Sequence, residues 1–149
     1  GLLLIEVYTD GSCLGNPGTG GWAIVIIHNK VKETKFGFME NTTNNQMELF
    51  AAIKSLEFLK DSNDSFTIYT DSSYLKNGIT TWIQNWKINN WKTSNNKKVK
   101  NIDLWMKLHD LCENKDISWK WVKAHSKNLN NNLVDDLART AALKKIIKE

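Results

Sequence analysis

The spacing of apolar residues changes period several times along the chain. Leu3 to Thr9 alternates and runs apolar, which predicts a strand ending at Asp10-Gly11-Ser12. Gly11 to Gly21 holds five of the eight glycines and the single proline, Pro17, and predicts a turn. Trp22 to His28 and Val31 to Met39 read as two further strands around a short Asn29-Lys30 connection, an antiparallel meander. Thr43, followed three residues later by Gln46, has the spacing of a capping box. The helix it opens places Leu49, Ala52, Ile53, Leu56 and Leu59 on one face.

Phe66 to Thr70 predicts a fourth strand, and short helical patterns continue through Trp86. Asn89 to Lys100 reads as a loop or extended excursion. Asn101 to Cys112 predicts a helix whose apolar stripe is Ile102, Trp105, Leu108 and Leu111 or Cys112. Ile117 to Val122 is a fifth strand. After an Asn-rich loop, Leu133 to Ile147 predicts a last helix. This order of elements is a mixed α/β class, with no linker or second core in the pattern, so residues 1–149 are expected to form one domain.

Composition narrows the classes. No apolar run of about 18 residues is present, which excludes a membrane-spanning helix. The start Gly1 to Ile5 lacks a basic flank, and Glu6 ends its apolar run, so it does not read as a leader. Two cysteines in 149 residues make no disulfide framework, and a reducing, cytoplasmic setting is expected. The net charge of +4 is unevenly placed. Between Ser72 and Ile102 stand six lysines and no acid, and removing those six charges from +4 leaves −2 elsewhere. A basic block on a mildly acidic remainder is either a solvated surface or a polyanion-binding face.

Tyr8-Thr9-Asp10-Gly11-Ser12 is echoed by Tyr69-Thr70-Asp71-Ser72-Ser73. If the capped helix is a crossover, the two strands are parallel and both aspartates reach one sheet edge, where ligands bind in open α/β sheets. Two similar Asx turns are the alternative. Glu48 lies early in the capped helix on the edge of its apolar face, where an inward carboxylate needs a partner or a cation. In the last helix Asp135 shares a face with Ala138 and Ala142, whereas Asp136 has the spacing of a surface pair with Arg139. Four oxygen-donor acids without clustered Cys or His suit Mg²⁺ or Mn²⁺ and not zinc. His125, at the end of a Trp-rich strand and ten residues before Asp135, suits proton transfer.

The motifs Thr9-Asp10-Gly11-Ser12, Asn44-Asn45-Gln46-Met47-Glu48-Leu49, Thr70-Asp71-Ser72, Val122-Lys123-Ala124-His125 and Asp135-Asp136-Leu137-Ala138 together resemble ribonuclease H of the bacterial type 1 class. The resemblance covers nearly the whole chain. It implies a five-stranded mixed sheet, three antiparallel strands then two parallel, flanked by helices. It also implies an endonuclease that hydrolyses the RNA strand of RNA–DNA hybrids with two Mg²⁺ ions, Mn²⁺ being an alternative, and leaves 5′-phosphate and 3′-hydroxyl ends. Asp10, Glu48, Asp71 and Asp135 would be its metal-binding acids, and His125 its loop histidine. Asn16, Asn44, Asn45 and Gln46 match minor-groove readers, and amides can both donate to and accept from a 2′-hydroxyl. Thr43 and Asn101 match contacts to a DNA-strand phosphate.

Residues about 80–101 match the family's basic protrusion, in which Trp86, Lys87, Lys97 and Lys98 would grip the hybrid, with Trp91 a further candidate; a monomer is implied. Trp82, Trp105, Trp119 and Trp121 are expected in core or helix packing. No added amino-terminal hybrid-binding domain is expected. Two departures stand out. Asn41 replaces an arginine that many relatives carry, which removes a bidentate phosphate donor. The loop around His125 lacks the glycine that commonly flanks the histidine.

Overall fold

The computed structural model describes residues 4–149. Leu3, the expected first residue of the opening strand, and the rest of the amino-terminal apolar run from Gly1 lie outside the described residues. Among the described residues, β1 (Leu4–Cys13), β2 (Gly18–His28), β3 (Val31–Thr42), β4 (Ser65–Thr70) and β5 (Asp116–Trp121) form one sheet. Their order is β3-β2-β1-β4-β5. The β1/β2 and β2/β3 pairs are antiparallel, and the β1/β4 and β4/β5 pairs are parallel. This is the mixed sheet that the resemblance implies.

The glycine-rich turn is shorter than its composition suggests. β1 continues through Gly11 to Cys13, and Gly20 and Gly21 already pair within β2, so the turn proper is residues 14–17. These glycines serve close packing: a Cβ on Gly21 would lie 2.0 Å from the Ala138 carbonyl oxygen.

The helices are α1 (Asn44–Phe58), α2 (Ser73–Asn77), α3 (Ile83–Ile88), α4 (Ile102–Cys112) and α5 (Leu129–Lys144), with a π-helical turn over Gly78–Trp82 joining α2 to α3. Thr43 caps α1 by accepting from the Gln46 amide at 3.2 Å. The Gln46 side chain does not return to Thr43 as a full capping box would have it. It accepts from the Thr42 hydroxyl at 2.8 Å and donates to Asn101 Oδ1 at 3.3 Å, because those groups offer both an acceptor and a donor across the α1–α4 contact.

The last helix differs from expectation at both ends. It starts at Leu129, since Asn128 caps it by accepting from the Asn131 amide at 3.0 Å. Lys145 then turns left-handed, and Lys148 exchanges two backbone hydrogen bonds with Phe36, covering part of the β3 edge.

Successive residues of β1 serve opposite faces of the sheet. Val7 joins the core of α1 and α4, with Leu49, Ile53, Phe66, Trp105 and Leu108, whereas Tyr8 packs with Ala23, Val25, Val134 and Ala138 under α5. Helices on both faces thus converge on the carboxyl end of β1.

Candidate active site

Parallel pairing of Tyr8 with Tyr69 sets the register of the two strand ends, so Asp10 and Asp71 stand side by side, each two residues further on. Glu48 reaches the same point from α1 and is buried. The Gly11 amide donates to Glu48 Oε1. A Cβ on Gly11 would lie 2.4 Å from the Glu48 nitrogen, so only glycine allows β1 and α1 to approach this closely. One carboxylate oxygen from each of Asp10, Glu48 and Asp71 lies within 4.8 Å of the others. Asp10 Oδ2 and Glu48 Oε2 are buried with no hydrogen-bond partner among the described residues.

Burial, followed by the charges of Glu48 and Asp71, pushes the Asp10 carboxyl far above the ordinary range. Burial also raises Glu48, against the lowering effect of hydrogen bonds from Asp10 and Gly11. Without a cation, both carboxyls hold their protons to higher pH than an ordinary carboxyl does. A divalent cation would relieve both the repulsion and the unpaired oxygens.

Asp135 stands outside that trio but lines the same pocket of about 350 Å³, together with Asn44, Asn45 and Ser72. Its side chain is 27% exposed against 71% for Asp136, which separates the two as their spacing suggests. Arg139 is not reserved for Asp136, however. One turn further along α5, its Nη2 lies 2.8 Å from Asp136 and 3.3 Å from Asp135.

The structure does not bring His125 into that pocket lining. It is exposed on the β5–α5 loop with φ 54°, so the histidine itself takes the left-handed conformation that the missing glycine would have favoured. Two residues of the Asp71 environment were not among the expected site residues. Asn131 donates to Asp71 Oδ2 at 3.3 Å, and the Trp121 indole donates to the Asp71 carbonyl at 3.1 Å. The sequence signal for Asn131 is its position four residues before Asp135 on one helix face.

A second pocket of about 390 Å³ adjoins the first through Asn44 and Asn45, and is also lined by Asn16, Thr43, Lys100 and Asn101. Asn16 Oδ1 accepts from the Asn44 amide at 3.2 Å. Asn101, left-handed at φ 59°, donates to the Tyr74 hydroxyl at 3.1 Å while accepting from Gln46. Asn41 is exposed, and the cationic side chain that lines this pocket is Lys100.

In the basic segment, Trp86 is half-buried against Trp105, with ring centroids 5.4 Å apart, and lines a groove of about 330 Å³ with Trp82, Asn85 and Lys92. Trp91 is half-buried between Trp86 and His109. Lys87 lines a different cleft, with His109 and Glu113. Lys97 and Lys98 are exposed on the turn that brings Lys92 back beside Lys98. Among the described residues none of these lysines, nor Lys100, pairs with a carboxylate.

Trp105 is fully buried, Trp119 packs on the core and Trp82, though 37% exposed, packs between Tyr74 and Trp86, as expected, but Trp121 is 47% exposed. Trp82 falls on the open side of the π turn, and Trp121 ends the edge strand β5, where less of the fold covers it.

A mixed sheet with an acidic pocket at the carboxyl ends of its parallel strands defines an α/β protein with a cation-suited site at its sheet edge. Comparison with known proteins narrows the class. The RNase H family profile matches residues 4–143, and the chain belongs to the RNase H family. It is 52% identical over 139 residues to a ribonuclease H of Wolbachia pipientis wMel, covering 93% of this chain and 95% of the relative. The solved structure of LC9-RNase H1, a type 1 RNase H with the type 2 active-site motif, superposes with a TM-score of 0.90 at 27% identity, over 99% of this chain and 76% of that one. LC11-RNase H1 in complex with an RNA/DNA hybrid shares the fold at a TM-score of 0.73 and 22% identity, over 94% and 97% of the two chains.

Proposed function

We propose that the protein is an endonuclease that hydrolyses the RNA strand of RNA–DNA hybrids with divalent cations, Mg²⁺ or Mn²⁺, leaving 5′-phosphate and 3′-hydroxyl ends. The observation that carries this reading is the convergence of Asp10, Glu48 and Asp71, with two buried carboxylate oxygens left unpartnered, beside the Asn44 and Asn45 amides. An all-oxygen donor set of this kind fits two hard divalent ions, with Asp135 completing it. When bound, such ions supply activation of the attacking water and stabilisation of the leaving 3′ oxygen.

The chain's own groups do the rest. Asp10, Glu48, Asp71 and Asp135 hold the cations. Asn16, Asn44, Asn45 and Gln46 read the minor groove, and Asn44 and Asn45 reach both adjoining pockets. An amide that both donates and accepts suits the 2′-hydroxyl that tells RNA from DNA. Thr43, Asn101 and Lys100 hold a phosphate of the DNA strand. The exposed lysines Lys97 and Lys98, with Lys87 and Trp86, grip the duplex, neutralising phosphates and releasing counterions. His125, on its exposed loop, carries a proton to or from the site as the strand is cut and leaves.

The same reading makes residues 1–149 one catalytic unit acting as a monomer, and the free thiols Cys13 and Cys112 suit a reducing cytoplasm. The test is cleavage of end-labelled RNA–DNA, DNA–DNA and RNA–RNA duplexes in Mg²⁺, Mn²⁺ or EDTA. Cutting of RNA in the hybrid alone, and only with metal, is expected. Binding without cleavage would overturn the enzymatic reading, and cleavage of DNA would overturn the specificity.

A further inference from the structure

Asn131 is 1% exposed, yet it contributes no apolar surface to the core of α5. Burying an amide is costly unless its groups are paired. Its side-chain nitrogen donates to Asp71 Oδ2 at 3.3 Å, while its Oδ1 has no hydrogen-bond partner among the described residues. Exchanging the two ends of the amide would set its oxygen against the carboxylate oxygen, so the contact fixes the orientation.

The backbone of Asn131 is fixed as well. Asn128 caps its amide at 3.0 Å, which sets the phase of the first turn of α5. In that phase Asn131 and Asp135, one turn apart, share a face. Asp71 is thereby held at two places, by Asn131 at its carboxylate and by the Trp121 indole at its carbonyl.

We propose that Asn131 is a positioning residue, which holds the Asp71 carboxylate in one rotation so that the acidic trio can receive a divalent cation; this rests on the cation-dependent reading above. Asp71 is only half-buried, unlike Asp10 and Glu48, so its carboxylate has room to turn away from the trio. A donor on Oδ2 opposes that turn, and a hydrogen bond to a carboxylate is about twice as strong as a neutral one. Groups that orient metal ligands typically matter by about 10- to 100-fold in metal affinity or activity.

The test is Mn²⁺ binding without substrate, followed by the free-ion paramagnetic resonance signal, in wild type, Asn131→Ala, Asn131→Asp and Asn132→Ala. Circular dichroism checks the fold of each. Asn131→Asp keeps the side-chain volume and carries the test if Asn131→Ala does not fold. Both Asn131 variants are expected to weaken Mn²⁺ binding by about tenfold or more. They should also lower kcat on the hybrid and leave its KM within about twofold, because Asn131 orients a ligand and does not read the duplex.

Asn132→Ala, which loses only a bond to the Ser126 carbonyl, is expected to bind Mn²⁺ as wild type does. Equal Mn²⁺ binding in wild type and a folded Asn131 variant would overturn the proposal alone, as would an equal loss in Asn132→Ala. A wild-type protein that binds no Mn²⁺ and cuts no hybrid would overturn the functional reading with it.

Discussion

Gly11 and Glu48 are joined at the point where β1 meets the start of α1. The Gly11 amide donates to the Glu48 carboxylate, and a Cβ on Gly11 would lie 2.4 Å from both the Glu48 nitrogen and the Met47 carbonyl carbon. Those are backbone atoms, so the contact cannot be relieved by a side-chain rotation. Gly11→Ala is therefore expected to push α1 off the sheet edge and displace Glu48. Urea unfolding should show a loss of about 1–3 kcal/mol. Cleavage should fall by about tenfold or more, as for a misplaced ligand.

The protons held by Asp10 and Glu48 set the pH response of the metal-free protein. Both carboxyls are raised from ordinary values of 3.8 and 4.5, chiefly by burial. The folded state then binds more protons than the unfolded chain, so the slope of stability with pH is negative. The penalty is absent below the ordinary values and grows as pH climbs above them toward the raised ones. Melting temperature in EDTA should accordingly decline from mildly acidic to alkaline pH, and Mg²⁺ should reverse the decline. Asp10→Asn should abolish cleavage yet stabilise the metal-free protein at neutral pH by about 0.5–2 kcal/mol. A metal-free melting temperature that rises with pH across this range would contradict the assignment.

Asp135 and Asp136 share one arginine, which makes them separable by function and not by partner. Asp135→Asn is expected to lose most cleavage, because its carboxylate lines the acidic pocket. Asp136→Asn should retain most of it, since an exposed i,i+3 pair contributes little to stability. Initial rates on a labelled hybrid under saturating Mg²⁺ decide between them.

Lys115 closes the far end of α1. Its Nζ lies 2.6 Å from the carbonyl oxygens of Lys60 and Ser62 and 3.2 Å from that of Leu59. Charge-assisted bonds to the carbonyls beyond a helix end stabilise it. Lys115→Met should cost about 1–3 kcal/mol in urea unfolding. Catalytic rate on the hybrid should be unchanged, because the contact lies at the opposite end of α1 from Glu48.

These contrasts show what the linear pattern can carry. The repeated Tyr-Thr-Asp motif marks two strand ends that the parallel register sets side by side, and the cap at Thr43 fixes where the helix carrying Glu48 begins, so the convergence of these three acids is legible in the pattern. The glycine-rich stretch misled because Gly11 and Gly21 answer to Met47, Glu48 and Ala138, which are distant in the chain. Gln46 left its expected capping partner for Asn101 for the same reason. Asn131 was hidden among neighbouring asparagines, and only the cap at Asn128 shows which of them faces Asp71. Trp82 and Trp121 share their residue type with Trp105, but coverage by other elements decides which is buried.

Lys100 gives the sharpest test of the proposed duplex-binding surface. Asn41 supplies no cation near the Thr43 pocket, yet the pocket is not without charge, because Lys100 lines it beside Thr43 and Asn101. Lys100 also lines the neighbouring cavity with Lys98 and Gln46, where the basic segment meets the start of α1. An ammonium there meets a phosphate as a point charge and not as a two-pronged donor. Lys100→Ala should therefore weaken hybrid binding evenly across sequences and lower the salt slope by about one. Asn41→Arg in that background should recover affinity if the two positions serve one phosphate. Fluorescence anisotropy of a labelled hybrid in Ca²⁺, across a salt series, separates these outcomes. A slope unchanged by Lys100→Ala would return Lys100 to the solvated surface and leave the pocket to its amides and hydroxyl alone.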